Sequence, residues 1–460
     1  MLNHHDTIIA LATPNGTGAI AVIRLSGSQA IILTDQVFLG KKLSKQPSHT
    51  LHYGQIIDEQ QQVVDEVVVS LFKAPHSYTK EDTVEISCHG SPYIIQQLLQ
   101  LFIRKGVRLA RAGEFTLRAF LNGRMDLSQA EAVADLIAAS DKATHNVALR
   151  QMRGGFGKKI QQLRSELIHF ASMIELELDF AEEDVVFADK QQLQQLIYAI
   201  QNHIRTLSQS FTLGNAIKNG INTVIAGRPN AGKSTLLNVL LNEERAIVSD
   251  VAGTTRDTIE ETLTIGGITF RLIDTAGIRE ATDTIETIGV QRTYEKVKQS
   301  AILIYVFDVL ELTPAEVAAD IDSLYNEQLK IIIVPNKMDL NPYAKPENFI
   351  SLHVGDKQIV PTAAISNMNI EYLKEKLLSL IIGDGILLES PIVTNTRHFE
   401  ALQHTDRALQ DVLDGLAVNV GHDFLAMDIR RALHYLGEIS GDITTDDLLE
   451  NIFSKFCIGK

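Results

Sequence analysis

Gly227, Gly232, Lys233 and Ser234 stand at the spacing G-x-x-x-x-G-K-[ST], filled by Arg228, Pro229, Asn230 and Ala231. Glycines let backbone N–H groups close around phosphate oxygens, a lysine ammonium reaches the β/γ oxygens, and a serine hydroxyl can ligate Mg2+. Lys233 is therefore the candidate for stabilising a transferring phosphate and Ser234 for holding the metal, with Asn230, Ala231, Gly232 and Thr235 completing the cradle. Farther along, Asp274-Thr275-Ala276-Gly277 offers an aspartate that can orient Mg2+ through water and a glycine backbone that can meet a γ-phosphate. Asn336-Lys337-Met338-Asp339 ends in a carboxylate able to accept two hydrogen bonds from guanine's ring N–H and exocyclic amine. Adenine lacks that donor pair, so the motif selects GTP over ATP. Thr362-Ala363-Ala364 stands where a base-supporting loop is expected. Without the lysine of the common Ser-Ala-Lys, that loop is expected to act through its backbone.

A loop threonine is needed to complete Mg2+ coordination once a γ-phosphate is present, and Thr255 is the candidate. Ser249, Asp250, Val251, Ala252, Gly253 and Thr254 precede it and are expected to border the nucleotide. Ras-like proteins place a water-orienting glutamine directly after the D-T-A-G motif, but here that residue is Ile278. An isoleucine cannot position a nucleophile. Glu286 is the nearest polar candidate, with Asp283 and Glu280 beside it, and each also reads as an ordinary solvated charge.

These motifs need strand ends and helix starts to hold them. Strands are expected over residues 223–226, 261–265, 269–274, 301–308, 330–335 and 359–361, with a helix over 235–241. Alternating strands and helices predict a mostly parallel α/β domain spanning 217–383. The first 117 residues read differently. Strands at 7–12, 19–25, 63–71 and 83–87 and a helix at 92–104 indicate an α+β module. Residues 118–216 carry helical periodicity at 130–139, 160–180 and 191–211, and residues 384–460 carry it at 397–418, 424–439 and 445–452. The simplest architecture inserts the α/β domain between two flanks of one helical domain.

Composition constrains the setting. A chain of 460 residues suggests roughly three domains at ~150 residues each. No apolar run approaches the ~18 residues of a spanning helix, and the start, Met1 to Asp6, lacks a basic signal-peptide region, so no membrane association is expected. Two cysteines, Cys88 and Cys457, make no disulfide framework and suit a reducing cytoplasm. Against 57 acidic side chains stand 42 Lys and Arg, a net −15, so RNA contact must rely on local basic patches or a partner. Arg104, Lys105, Arg108 and Arg111 form one such cluster, and Arg150, Arg153, Lys158, Lys159 and Arg164 a second; each also reads as a solvated face. Gly459 and Lys460 rule out prenylation of Cys457, which reads as a small buried hydrophobe or as a redox or nucleophilic thiol.

The chain resembles the MnmE (TrmE) family of tRNA modification GTPases along its whole length. The guanine-nucleotide motifs specify only a superfamily. The flanking segments carry the family likeness: Ala12 to Gly27, Ser77 to Asp82, Arg111 to Thr116, Phe120 to Leu127, and Phe456-Cys457-Ile458-Gly459-Lys460. The resemblance implies a multidomain α/β and α architecture with a folate-binding-like N-terminal domain that dimerises, a helical domain, and an inserted Ras-like P-loop G domain. It implies that Arg24, Glu81, Arg124 and Lys460 contact a tetrahydrofolate derivative, 5-formyl or 5,10-methylene. Arg124 replaces the lysine usual at that position. By the same likeness Asn230, with the backbone of Ser249, Val251 and Thr254, holds K+, and Glu286 orients the attacking water. A homodimer is implied that joins the flavoprotein MnmG (GidA), which brings FAD, in a heterotetramer acting on tRNA. Together they would place an aminomethyl or carboxymethylaminomethyl group on C5 of the wobble uridine, with folate as carbon donor. Two rivals differ in kind. A regulatory switch GTPase, for example in ribosome assembly, needs neither folate nor tRNA chemistry, whereas a scaffold with a dead G domain is opposed by the intact Lys233, Ser234 and Asp339.

Overall fold

Inward aliphatic residues alternating with outward polar ones build the N-terminal sheet. In Val63–Phe72 the side chains of Asp65, Val67, Val69 and Leu71 are buried, while Glu66 and Val68 face out. In the computed structural model the described residues are 6–179, 190–242, 261–273, 297, 300–327, 329–341, 343–382 and 391–459, without the side chains of 175–179, 242 and 382. They fall into two compact units, one of residues 1–137, 149–197 and 407–460, the other of 138–148 and 198–406.

The first unit carries β1 (Ile8–Leu11), β2 (Ile20–Ser26), β3 (Phe38–Leu39), β4 (Thr50–Ile57), β5 (Val63–Phe72), β6 (Thr83–His89) and β7 (Arg108–Leu109). They form one sheet in the order β3-β4-β5-β6-β2-β1-β7. Every neighbouring pair is antiparallel except β1 with β7. Helices α1 (Ala30–Asp35) and α2 (Pro92–Arg104) cover one face. Pro92 suits the first turn of α2, where its missing N–H costs nothing, and Ile95, Leu98, Leu101 and Phe102 share the core with Ile23, Val69 and Ile86. Burying each such side chain contributes about 1.5–3 kcal/mol. Strand β4 and helix α1 escape a reading of periodicity. The inward positions of β4 are His52, Gly54 and Ile56, and a Cβ on Gly54 would lie 2.5 Å from the Phe38 ring that fills the gap.

Helices of the same unit include α3 (Glu114–Leu121), α4 (Leu127–Ala138), α6 (Gly155–Asp179) and the C-terminal pair His422–Ser440 and Asp446–Phe453. The last of these meets α3 through Phe453, Phe456 and Leu117, with Leu127 and Ala130 behind them. Beyond it the chain crosses the N-terminal module, where Ile458 bridges Ala112 and the Gly113 N–H donates to the Cys457 carbonyl at 3.4 Å.

The second unit holds a five-stranded sheet among the described residues. It comprises β8 (Ile221–Ala226), β9 (Glu261–Ile265), β10 (Ile268–Ile273), β11 (Ile302–Asp308) and β12 (Lys330–Asn336), ordered β12-β11-β8-β10-β9. Only β9 runs antiparallel. Strand β11 is buried at every position, as a central strand covered on both faces must be. The strand expected at 359–361 is a single bridge, Ile333 to Ile359. Pro335 and Pro361 have no N–H to donate, which leaves room for the bonds from Val360 to Ile333 and from Thr362 to Pro335 and for no longer ladder. No helix among the described residues is long and apolar enough to cross a membrane.

The chain can enter α3 only through a left-handed residue. Gly113 has φ +65°, and a Cβ there would sit 2.7 Å from the Phe453 carbonyl oxygen. Gly113→Ala is expected to lower the unfolding free energy of the full chain by at least about 1–2 kcal/mol, the cost of the left-handed conformation alone. Urea unfolding measures it; unchanged stability would mean that the segment at Phe453 shifts freely.

Candidate functional site

The loop after β8 is shaped by close approaches that exclude side chains. A Cβ on Gly227 would lie 1.9 Å from the Val306 carbonyl oxygen, and one on Gly232 2.2 Å from Asn336 Nδ2. Asn230 adopts φ +62°, a conformation asparagine tolerates better than most residues. Helix α9 (Lys233–Asn242) starts at the end of this loop, so Lys233, half-buried Ser234 and exposed Thr235 form its first turn. The Lys233 ammonium donates to the Gly227 and Arg228 carbonyls at 2.8 Å each. Burial holds its pKa below the ordinary lysine value. A poorly solvated ammonium beside a glycine-rich loop and a helix start is a strong partner for phosphate oxygens.

Asn336 ties this loop to the base-side loops. Its Nδ2 donates to the Ala231 carbonyl at 2.8 Å, while its Oδ1 accepts from the Ala364 N–H at 3.1 Å and Thr362 Oγ1 at 3.3 Å. Lys337 is left-handed at φ +62° and its Nζ lies 2.6 Å from Asp308 Oδ2. The Met338 N–H reaches the Thr362 carbonyl at 3.1 Å. Asp339 is thus exposed at the end of a braced turn, with Ala363 and Ala364 buried beneath it in sequence. Arg228 extends the bracing, pairing both oxygens of Asp320 at 3.0 and 3.2 Å; Tyr305 also donates to Asp320. Sequence reading missed Arg228, which nothing but its place in the loop singles out.

The donor set fits the two cations as far as it is described. Ser234, in the first turn of α9, and exposed Asn230, in the loop before it, are the described residues that could hold Mg2+ and K+. Ser249, Asp250, Val251, Ala252, Gly253, Thr254, Thr255, Asp274, Thr275, Ala276, Gly277 and the water-orienting candidates Glu280, Asp283 and Glu286 lie outside the described residues, as does Lys460.

A second cluster forms in the N-terminal module. Arg24 on β2 pairs with its cross-strand neighbour Glu85 at 2.8 Å and donates to the Gly459 carbonyl at 3.3 Å. Its guanidinium lies 5.6 Å from the ring centres of both Tyr78 and Phe115. Burial raises the Tyr78 phenol, opposed by a hydrogen bond with Thr116 and by the charges of Arg24 and Arg124. Exposed Arg124 follows Gly123, whose carbonyl accepts from Lys80 Nζ at 2.8 Å. Glu81 accepts from Ser26 Oγ at 2.7 Å, two residues along the same strand from Arg24. Arg24 therefore lies over Tyr78 and Phe115, Glu81 is held at Ser26 two residues along β2 from Arg24, and Gly459 brings the chain end to Arg24. Two guanidiniums for carboxylates, one carboxylate for ring N–H donors and an aromatic floor suit a folate.

Two readings need correction. Cys457 is exposed, not a buried hydrophobe, because Phe456 and Gly459 take the inward positions of the tail. Arg108 is not a free cation for RNA: its guanidinium bonds Asp6 at 2.7 Å and Glu114 at 2.6 Å. Cys88 is buried, and burial pushes its thiol up to about 11, which makes it a poor nucleophile.

Residues 7–124 match the family model described as GTP-binding protein TrmE N-terminus, and residues 127–457 match that of the MnmE helical domain. The chain is 57% identical over 458 residues to the tRNA modification GTPase MnmE of Cytophaga hutchinsonii, covering 100% of this chain and 98% of that one. It is 52% identical over 464 residues to the tRNA modification GTPase MnmE of Flavobacterium psychrophilum, covering 99% and 100%. With a braced phosphate loop, a guanine-selecting turn and near-complete coverage of such relatives, the chain belongs to the MnmE family of tRNA modification GTPases.

Proposed function

We propose that this chain hydrolyses GTP in the service of tRNA modification. With a flavoprotein partner of the MnmG type it would install an aminomethyl or carboxymethylaminomethyl group on C5 of the wobble uridine in the cytoplasm. The observation that carries the GTPase half is Asn336, which locks the phosphate loop to the loop behind Asp339. The observation that supports the one-carbon half is Arg24 over the rings of Tyr78 and Phe115, with Glu81 held at Ser26 two residues along the same strand. A ribosome-assembly switch has no use for that second cluster.

In the hydrolytic step Lys233 would neutralise developing charge on the phosphate, and the backbone N–H groups of residues 230–235 would hold its oxygens. Asp339 would select guanine. Ser234 and Thr255 would hold Mg2+, which would supply positive charge to the phosphates, and Asn230 with the backbone of Ser249, Val251 and Thr254 would hold K+, supplying the charge that an arginine finger supplies elsewhere. Glu286 would orient the water that Ile278 cannot. In the folate site Arg24, Arg124 and Lys460 would meet the anionic and carbonyl groups and Glu81 the ring donors, with tetrahydrofolate supplying the carbon. A homodimer would bring two such modules together. GTP turnover would drive a conformational cycle and place no phosphate in the product.

GTP hydrolysis is expected to be faster in K+ than in Na+ at equal ionic strength, and Asn230→Ala to flatten the difference; equal wild-type rates in the two salts overturn the K+ site. Glu286→Ala is expected to lower kcat by roughly 10²-fold, the scale of general-base assistance, with nucleotide affinity little changed. If Asp283→Ala or Glu280→Ala shows that loss instead, the role belongs to the neighbour. Mass spectrometry of tRNA nucleosides tests the whole reading. A deletion strain should lose the C5-modified wobble uridine, and Asp274→Ala should fail to restore it; modification at the wild-type level in the deletion strain makes the protein a switch GTPase only.

A further inference from the structure

Glu81 is one of three carboxylates gathered on two guanidiniums. Arg118, 2% exposed, donates from Nη2 to Asp6 Oδ1 at 2.6 Å and to Glu114 Oε1 at 3.1 Å, and from Nη1 to the Asp6 carbonyl at 2.7 Å. The same Nη1 reaches both Glu81 oxygens at 3.3 Å. Arg108 grips Glu114 with two bonds, 2.6 and 3.0 Å, and Asp6 with one of 2.7 Å. Asp6 and Glu114 are thereby matched by short charge-assisted bonds. Burial raises the pKa of each, but the hydrogen bonds and charges of their partners outweigh it and hold both carboxyls below their ordinary values. The unmatched negative charge of the group falls on Glu81. Its bonds to Arg118 are the longest in the cluster; Asp6, more exposed at 27% than Glu81 at 17%, is held by carboxylate bonds of 2.6 and 2.7 Å.

A carboxylate has about four lone-pair positions. Ser26 and Arg118 take the inner ones of Glu81, and Ser26 is itself fixed by Thr79 Oγ1 at 2.6 Å. What remains is the outer edge, held at one angle and carrying net negative charge. That edge fits two parallel N–H donors, such as the ring N–H and exocyclic amine of a 2-amino-4-oxo heterocycle. Arg118 is too deeply buried to touch such a ligand. We infer that Arg118 is a positioning residue that fixes the Glu81 carboxylate for the pterin ring of a folate. The inference rests on the folate reading above and adds the residue that makes Glu81 competent for it. Sequence offers one hint, since Glu114 and Arg118 are one helical turn apart on α3.

The test is a double-mutant cycle on the dissociation constant of 5-formyltetrahydrofolate, measured by calorimetry on the full chain, with circular dichroism to verify folding. Glu81→Gln and Arg118→Lys are each expected to raise the constant about tenfold or more. If Arg118 acts through Glu81, adding Arg118→Lys to Glu81→Gln raises it by less than about threefold further. A multiplied effect means that Arg118 serves the fold alone and overturns the inference. So does a Glu81→Gln protein that binds as wild type does, although the folate reading then stands on Arg24 and Arg124. A wild-type protein that binds no folate overturns both. Should Arg118→Lys not fold, Arg118→Gln takes its place in the cycle, because its amide still donates toward Glu81 while the charge is removed; multiplied effects there overturn the inference equally.

Discussion

The side-chain amide of Asn336 is the contact on which the nucleotide site depends. One planar group donates to the phosphate loop at Ala231 and accepts from the loop at Ala364, so the phosphate end and the base end of the site cannot drift apart. Both groups are buried, where an unmatched polar atom costs about 1–3 kcal/mol. Gly232 is a glycine because the amide needs the space that a Cβ would take. The same strand end carries Lys337, whose ammonium on Asp308 fixes the turn before Asp339. The exposed carboxylate of Asp339, the proposed guanine selector, is therefore backed by buried, hydrogen-bonded polar groups. Rigid support beneath an exposed recognition group is what specific binding requires, since a freely rotating carboxylate would lose entropy on meeting its ligand.

The N-terminal cluster follows the same logic with charges in place of amides. Each of the two proposed folate contacts has a partner on a neighbouring element: Arg24 on β2 has Glu85 on β6, and Glu81 has Arg118 on α3. Cross-strand register sets the first pair and a helix lying against the loop sets the second. The aromatic rings of Tyr78 and Phe115 keep water from the guanidinium of Arg24, which strengthens its electrostatics. The tail residues close the cluster, since Gly459 fits only because it has no side chain: a Cβ would lie 2.2 Å from the Leu11 carbonyl oxygen.

Much of the fold was legible in the sequence. Helix α2 was expected at its observed bounds, since Pro92 marks its start and its apolar residues recur at helical spacing. Strands β9 and β11 were equally clear, one from alternation and one from an unbroken apolar run. Strand β4 was not legible, because two of its inward positions are His52 and Gly54, whose fit depends on the distant Phe38. The bridge at Ile359 was read as a strand because apolar content says nothing about donors, and prolines had removed them.

The nucleotide motifs were determined by sequence alone. A phosphate cradle is made by consecutive residues whose backbone must turn sharply, so glycine, lysine and serine at fixed spacing are nearly sufficient to specify it. Only tertiary structure decided which charges face ligand and which face each other. Arg24 and Gly459 are 435 positions apart, and Arg118 and Glu81 are 37 apart. Arg108 looked like a surface cation until its carboxylates were in place, and Cys457 looked buried until Phe456 and Gly459 were found in the inward positions of the tail. Local periodicity records which way a side chain points from its own element. It holds no record of the partner it finds there, because that depends on how separate elements pack, and in a cluster of buried charges the partner decides the chemistry.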